Sequence, residues 1–111
     1  MKRPDALPLL GLCMRAGKVA SGETACEAAI RSGKAYLVLI ASDASDNTVK
    51  KFNNLCRFRE VPLLVYQKKA LLGNAIGKGE RSSLAVLDES FAAGIRRKIE
   101  EEREFEERSV L

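Results

Sequence analysis

The apolar positions of the chain recur with periods that alternate between helix and strand. Five segments show apolar residues three or four apart and predict helices, at residues 7–16, 22–32, 46–57, 69–76 and 89–108. Three runs rich in aliphatic residues predict buried core strands, at 36–41, 61–66 and 83–87, and residues 18–20 predict a short edge strand. Gly17 and Gly33 stand where the first two helices are expected to end.

Helices that alternate with at least three core strands predict an α/β sandwich with helices on both faces of the sheet. In the second helix the predicted apolar stripe is Ala25, Cys26, Ala29 and Ile30. The length of 111 residues suits one domain, so we assign residues 1–111 to a single unit.

The last predicted helix changes character beyond Ile99, where almost every residue is charged. Opposite charges recur four residues apart and predict ion pairs within the helix. These pairs are Arg96–Glu100, Arg97–Glu101, Lys98–Glu102 and Glu104–Arg108. The charged helix, from about 89 to 108, is therefore expected to be solvated and paired with itself.

The cysteine count suggests a reducing compartment. Cys13, Cys26 and Cys56 are odd in number and show no Cys-x-x-Cys spacing, and the chain has no histidine. We expect three free, buried thiols, no metal site and a cytoplasmic location. No apolar run approaches the length that crosses a bilayer, and the N-terminus lacks the pattern of a secretory signal, so no membrane partner is expected.

The charge is distributed unevenly along the chain. Lys and Arg number 19 against 15 Asp and Glu, a net charge of +4. From Arg96 onward there are five basic and six acidic residues, so residues 1–95 carry +5. A basic body of this size favours a polyanionic partner, nucleic acid first.

The residues offer little for catalysis. Without histidine, the usual serine or cysteine triad is absent. The segment 73–78 looks like a phosphate loop, but only three residues separate its glycines, and Gly79 stands where Ser or Thr would bind magnesium. Asp43 and Asp46, before the third predicted helix, and Asp88, before the last one, are interpreted as helix caps. We expect no enzyme activity and no cofactor.

Two glycine-bounded loops carry basic residues and suit RNA better. One runs through residues 15–18 into 21–24, and the other covers residues 77–82. Glycine lets a backbone approach a phosphate closely, and the helix start at 22–24 offers unpaired N–H donors. Ordinary turn glycines beside solvated Lys and Arg remain the alternative.

Several short motifs follow one another between about residues 7 and 95. They are LGL at 10–12, AGK at 16–18, SG at 21–22, AIRSGKA at 29–35, LVLIASDAS at 37–45, TVKK at 48–51, VP at 61–62, LG-x-AIGK at 72–78, AV at 85–86 and FA at 91–92. In this order they resemble the kink-turn-binding ribosomal protein family (ribosomal protein L-seven-Ae and its relatives), in particular its small bacterial YlxQ-like branch.

The resemblance implies a three-layer α-β-α sandwich around a small mixed sheet. It also implies binding to kink-turn RNA, a bent helix with tandem sheared G·A pairs. In that family a helix start enters the groove opened at the G·A pairs, and a loop near the last strand clasps an extruded nucleotide. The archaeal motif Gly-x-Asn-Glu-x-x-Lys aligns with residues 22–28, where Ala25 and Ala28 replace the glutamate and the lysine.

Carried over, the resemblance assigns phosphate contacts to Lys18, Lys34 and Lys78. It assigns the G·A pairs to Glu23 and Thr24 with their backbone N–H groups, and the extruded base to Arg81 and Ser82. The whole set expected to contact RNA is Arg15, Lys18, Gly22, Glu23, Thr24, Arg31, Lys34, Gly77, Lys78, Arg81 and Ser82.

We therefore expect a monomeric, non-enzymatic protein that binds kink-turn-like structured RNA and associates with the ribosome. The first alternative is a protein–protein adaptor of the translation or transcription machinery that has lost kink-turn recognition. A second alternative comes from RNA ribose methyltransferases, which carry a related fold as an accessory domain.

Overall fold

A computed structural model describes residues 3–110, in which helices and strands alternate as the periodicity predicts. The elements are α1 (Leu7–Arg15), β1 (Val19–Ser21), α2 (Glu23–Arg31), β2 (Leu37–Ile40), α3 (Asp46–Arg59), β3 (Leu63–Val65), α4 (Lys69–Ala75), β4 (Ser83–Val86) and α5 (Glu89–Val110). Gly17 and Gly33 follow α1 and α2 with φ of 73° and 74°. This left-handed backbone conformation ends a helix, and glycine adopts it with the least strain.

The four strands form one mixed sheet in the order β1-β4-β2-β3. Strand β4 is antiparallel to both of its neighbours, and β2 is parallel to β3. Pairing therefore gathers Ser21, Ile40 and Val65 beside Ser83 at one end of the sheet, which we call the Ser83 end. The opposite end, where β4 finishes, is called the Val86 end.

Alternating side chains along the strands divide the core into two layers. On one face Leu37, Leu39 and Leu84 pack with α1, α4 and α5. On the other face Val38, Ile40 and Ala85 pack with α2 and α3. The fold is thus the three-layer α-β-α sandwich around a small mixed sheet, as predicted.

Two details of the predicted core are wrong. The third strand lies at the edge of the sheet, and Val65 is 45% exposed, because β3 has a neighbour on one side alone. Ala25 is exposed, so it is outside the apolar stripe of α2, which consists of Cys26, Ala29 and Ile30. Such a narrow stripe suffices because α2 rests on small strand residues such as Ala85.

The charged end of α5 is not the solvated, self-paired helix that its sequence suggests. Among residues 3–110 none of the four predicted pairs forms, and Lys98 instead approaches Glu101 at 3.6 Å. Glu102 is only 5% exposed and accepts hydrogen bonds from the Tyr66 hydroxyl and the Ala6 N–H, each at 2.6 Å. Arg103 donates to the Val65 carbonyl at 2.9 Å, so the helix fastens the start of α1 to β3.

The three cysteines are buried and unpaired, as predicted. Burial raises the pKa of Cys13, Cys26 and Cys56 from 9.0 to about 11, because a thiolate is poorly solvated in the core. Over residues 3–110 no helix is both long and apolar enough to cross a membrane.

Candidate nucleic-acid interface

The start of α2 has an open backbone. Gly22 precedes the helix with φ 91° and ψ 160°, and its N–H donates to the Ser83 carbonyl at 3.1 Å. The first helical bond runs from the Cys26 N–H to the Gly22 carbonyl at 3.0 Å. The N–H groups of Glu23, Thr24 and Ala25 therefore have no partner inside the helix.

The other four helices each have a side-chain acceptor near their first turn. In residues 3–110 a backbone N–H at the start of each of these four helices donates to a side-chain oxygen, and no N–H at the start of α2 does so. The acceptors are Asp5 for α1, Ser45 for α3, Asp43 for α4 and Asp88 for α5. The expectation that Asp43 and Asp46 cap the third helix is wrong. Asp43 caps the fourth helix, because the chain returns past it after β3, and Asp46 is the first residue of α3, which Ser45 caps. The open start of α2 is suited to an acceptor from a ligand, such as a phosphate oxygen or a base edge.

The loop of residues 77–82, which we call the clasp loop, is held close to α4. Its Lys78 N–H donates to the Gly73 carbonyl at 2.8 Å, and its Arg81 N–H donates to the Lys69 carbonyl at 3.1 Å. A Cβ on Gly73 would lie 1.8 Å from the Gly79 carbonyl oxygen. Only glycine at position 73 allows the loop to approach α4 so closely.

The Arg81 side chain connects the clasp loop to β1, the strand that precedes α2. Its Nε lies 3.4 Å from Ser21 Oγ, and its Nη1 donates to the carbonyls of Glu80 and Gly79 at 2.9 and 3.3 Å. The Ser82 carbonyl accepts from the Ala41 N–H at 2.9 Å. Gly22, Glu23 and Thr24 thus share the Ser83 end with the clasp loop, which contains Gly77, Lys78, Arg81 and Ser82.

Lys51 joins this group, and sequence reasoning missed it. Its Nζ lies 3.1 Å from Glu23 Oε1 and 2.8 Å from Glu27 Oε2, and Glu27 also pairs with Arg31 at 3.1 Å. Hydrogen bonds from Lys51 and Arg31 lower the pKa of Glu27, and those to Glu27 and Glu23 raise the pKa of Lys51. The sequence shows only a lysine on the outer face of α3. Nothing in the spacing points to the ion pair, because Lys51 and Glu23 are 28 residues apart.

Of the remaining four predicted cations, Arg31 is linked to this group through Glu27, and the other three are not brought together with it. Lys18 lies at the Val86 end, where its carbonyl accepts from the Leu87 N–H at 2.8 Å, and Arg15 is three residues before it. Arg31 and Lys34 lie where α2 finishes. Since α2 has nine residues, they are about 14 Å from its start at 1.5 Å per residue. The predicted set thus divides between the two ends of the sheet.

Residues 5–95 match the model of the ribosomal protein L7Ae/L30e/S12e/Gadd45 family. The chain belongs to this family. It is 47% identical over 92 residues to the RNA-binding protein YlxQ of Bacillus subtilis, covering 83% of this chain and 92% of the relative. It is 40% identical over 98 residues to the RNA-binding protein YlxQ of Enterococcus faecium, covering 88% and 94%. The large ribosomal subunit protein eL8 of Thermoplasma volcanium is 32% identical over 84 residues, 75% of this chain and 69% of that protein.

Solved structures agree with the fold of this family. A protein of unknown function from Bacillus halodurans superposes with a TM-score of 0.84 at 35% identity, covering 88% of this chain and 99% of that one. A 15.5 kDa RNA-binding protein of Giardia lamblia superposes with a TM-score of 0.74 at 24% identity, covering 85% and 83%, and supports the fold alone.

This member of the family presents a smooth outer face on α2. Thr24, Ala25 and Ala28 are all exposed there, so the two alanines leave room beside the open backbone where longer side chains would project. In residues 3–110 no group of three or more metal-ligating side chains lies together. The candidate interface contains backbone donors, glycines and basic side chains.

Proposed function

We propose that this protein binds structured RNA and recognises a kink-turn-like element through the Ser83 end of its sheet. It acts without catalysis or cofactor, as a cytoplasmic monomer associated with the ribosome. The observation that carries the proposal is the open start of α2 held beside the clasp loop. Relatives named as RNA-binding and large-subunit ribosomal proteins support it.

The kinked form of the RNA suits this surface for a physical reason. The major groove of A-form RNA is too deep and narrow for a side chain to read, and a kink opens it. The free N–H groups from Glu23 to Ala25 are then available to base edges and phosphates, with Thr24 as a further polar partner. Lys78 and Lys51 contact phosphate at this end, and the clasp loop holds the extruded nucleotide.

The cations at the Val86 end extend the same contact. A stem that runs along the smooth face of α2 passes from Thr24 toward Arg31 and Lys34, and Lys18 lies beyond the end of that path. Phosphate contacts of this kind fix register and contribute salt-dependent affinity with little sequence selectivity. Selectivity then depends on the α2 start and the clasp loop.

The test is a titration of a standard kink-turn RNA beside the same RNA with its tandem G·A pairs mutated, at one salt concentration. We expect mutation to weaken binding at least tenfold, which corresponds to about 1.4 kcal/mol. Gly22→Ala, which strains a backbone at φ 91°, should reduce the difference between the two RNAs. Equal binding of wild-type protein to both RNAs would overturn kink-turn recognition.

A second candidate function is a protein–protein adaptor, and exposed Ala25 and Ala28 favour it. A bidentate base contact in DNA complexes discriminates by about 1–3 kcal/mol, and neither alanine can make one. The adaptor predicts capture of translation or transcription proteins that survives nuclease treatment. Ending the chain at Ile99 would remove buried Glu102, so surface changes at Arg96, Arg97 and Glu100 are the sounder test of α5 as its docking face.

A further inference from the structure

The Val86 end carries two exposed aromatic rings that the kink-turn site does not use. Phe58 is 80% exposed in the last turn of α3, and Tyr36 is 45% exposed just before β2. Large aromatic side chains usually bury most of their surface, so two exposed rings at one end of a small domain require an explanation.

Both rings lie beside the layer that contains α2 and α3. Tyr36 directly precedes β2, and its neighbour Ala35 is buried in the core cluster that joins Val38 and Ile40 to α2 and α3, whereas Phe58 lies in α3 itself. Helices α2 and α3 both finish at the Val86 end, since Tyr36 bonds the Val86 carbonyl and Val38 bonds the Pro62 carbonyl just after α3. The two rings therefore flank the ends of the same two helices.

Basic residues neighbour both rings along the chain. Arg57 and Arg59 lie in the last turn of α3, and Lys34 follows α2; all three are exposed. The Arg59 guanidinium lies 5.7 Å from the centre of the Phe58 ring. Glu60 directly follows α3 and is acidic, so Lys34, Arg57, Arg59 and Glu60 together carry a net charge of +2.

From this arrangement we infer that Tyr36 and Phe58, with Lys34, Arg57 and Arg59, form a second RNA-binding surface that stacks unpaired nucleotides. We call it the stacking surface. Bases stack on aromatic rings whatever their sequence, and the cations track the backbone between them. The inference rests on the proposed function, because the unpaired nucleotides are those that flank the kinked element. The surface adds affinity without choosing sequence.

The experiment compares a kink-turn RNA without unpaired ends with the same RNA carrying unpaired tails of about eight nucleotides on both strands. We expect wild-type protein to bind the tailed RNA about tenfold more tightly, in line with about 1–3 kcal/mol per stacked base. Phe58→Ala and Tyr36→Ala should each remove most of this gain and leave the affinity for the untailed RNA unchanged. Leu12→Ala, which truncates another exposed apolar side chain, is the matched control and should keep the gain.

A direct readout comes from Phe58→Trp, because the chain has no tryptophan. The new indole retains a stacking face, so this variant should keep the tail-dependent gain and lose fluorescence when tailed RNA binds. If tails add nothing to wild-type affinity, or if Phe58→Ala keeps the whole gain, the stacking surface is overturned while kink-turn recognition stands. If G·A mutation has no effect but free tail oligonucleotide still quenches the indole, kink-turn recognition fails and the stacking surface stands.

Discussion

At the start of α2 the backbone N–H groups have no hydrogen-bond partner within the helix, whereas the side chain of Glu23 is in an ion pair. Gly22 offers no cap, so three N–H groups stay open, whereas Glu23 is already bound to Lys51. The resemblance assigned Glu23 to the G·A pairs, and the ion pair means that it meets RNA as a neutralised partner. Lys51 therefore neutralises the carboxylate that the start of α2 would otherwise present to an RNA phosphate.

This reasoning predicts the effect of Lys51→Met, which keeps the apolar stem and removes the charge. Glu27 then keeps its ion pair with Arg31, but Glu23 loses its ion pair with Lys51 and leaves an unneutralised carboxylate next to RNA phosphate. We expect RNA affinity to fall at least fivefold and the free energy of unfolding to change little, because exposed ion pairs contribute little to stability. A filter-binding titration and a urea melt measure the two quantities.

Two further variants separate the possible roles of Lys51. Lys50→Met removes the neighbouring exposed lysine and should have a smaller effect. The double variant Lys51→Met with Glu23→Gln should recover part of the affinity if neutralisation matters, and the missing phosphate contact should lower the salt slope by about 0.7–0.9. Equal affinities of Lys51→Met and Lys50→Met would exclude Lys51 from the interface.

At the scale of elements, the clasp loop depends on a glycine inside a helix. Gly73→Ala would improve helix propensity by about 1 kcal/mol, but its Cβ would lie 1.8 Å from a backbone oxygen that has to move. We expect net destabilisation of about 1–3 kcal/mol, as for overpacked cores, together with weaker RNA binding. Thermal unfolding and the kink-turn titration measure both effects.

The control for Gly73 is another helical glycine. A Cβ on Gly94 would lie 3.3 Å from Leu9 Cδ2, the end of a flexible side chain. Gly94→Ala should therefore leave RNA binding unchanged and leave stability equal or higher by up to about 1 kcal/mol. Unchanged RNA binding by Gly73→Ala would show that the loop position does not matter for recognition.

Elements were easier to predict than the contacts between them. Periodicity found every helix and strand, because burial imposes it directly on the sequence. It failed for Ala25, for Asp43 and for the charged end of α5, since each depends on a neighbour distant in the chain. The sequence pattern predicts that Glu102 is on the surface, but in the fold its carboxylate is buried and accepts hydrogen bonds from Tyr66 and Ala6.

The same limit applies to the candidate site. The resemblance carried over the α2 start and the clasp loop, which lie together as it implies. It could not show that Arg31 is held by Glu27, or that Lys51 comes from another helix. Nor did residue spacing reveal that Tyr36 and Phe58 lie at the same end of the fold, because that follows from the strand pairing and the direction of α3 together.

At the scale of the whole molecule, burial in the two core layers keeps the three cysteine thiols protonated to a higher pH than in the unfolded chain. In the unfolded chain each thiol has its ordinary pKa of 9.0, and in the fold burial raises the pKa of each to about 11. Burial and the Glu102 carboxylate also raise the pKa of Tyr66. Between pH 9 and 11 the unfolded chain therefore loses protons that the fold retains.

Stability should consequently fall with rising pH across that window. The free energy of unfolding falls with rising pH wherever the unfolded state binds fewer protons than the fold. We therefore expect a level value between about pH 7 and pH 8, a decline that begins near pH 9, and a smaller thiol contribution to the slope above about pH 11. Urea melts at several pH values measure the slope. In Cys56→Ala the slope of unfolding free energy against pH should decrease by the equivalent of up to about one proton per molecule, and the other groups should still produce a decline. A slope identical to that of the wild type would mean that Cys56 titrates alike in the folded and unfolded chains.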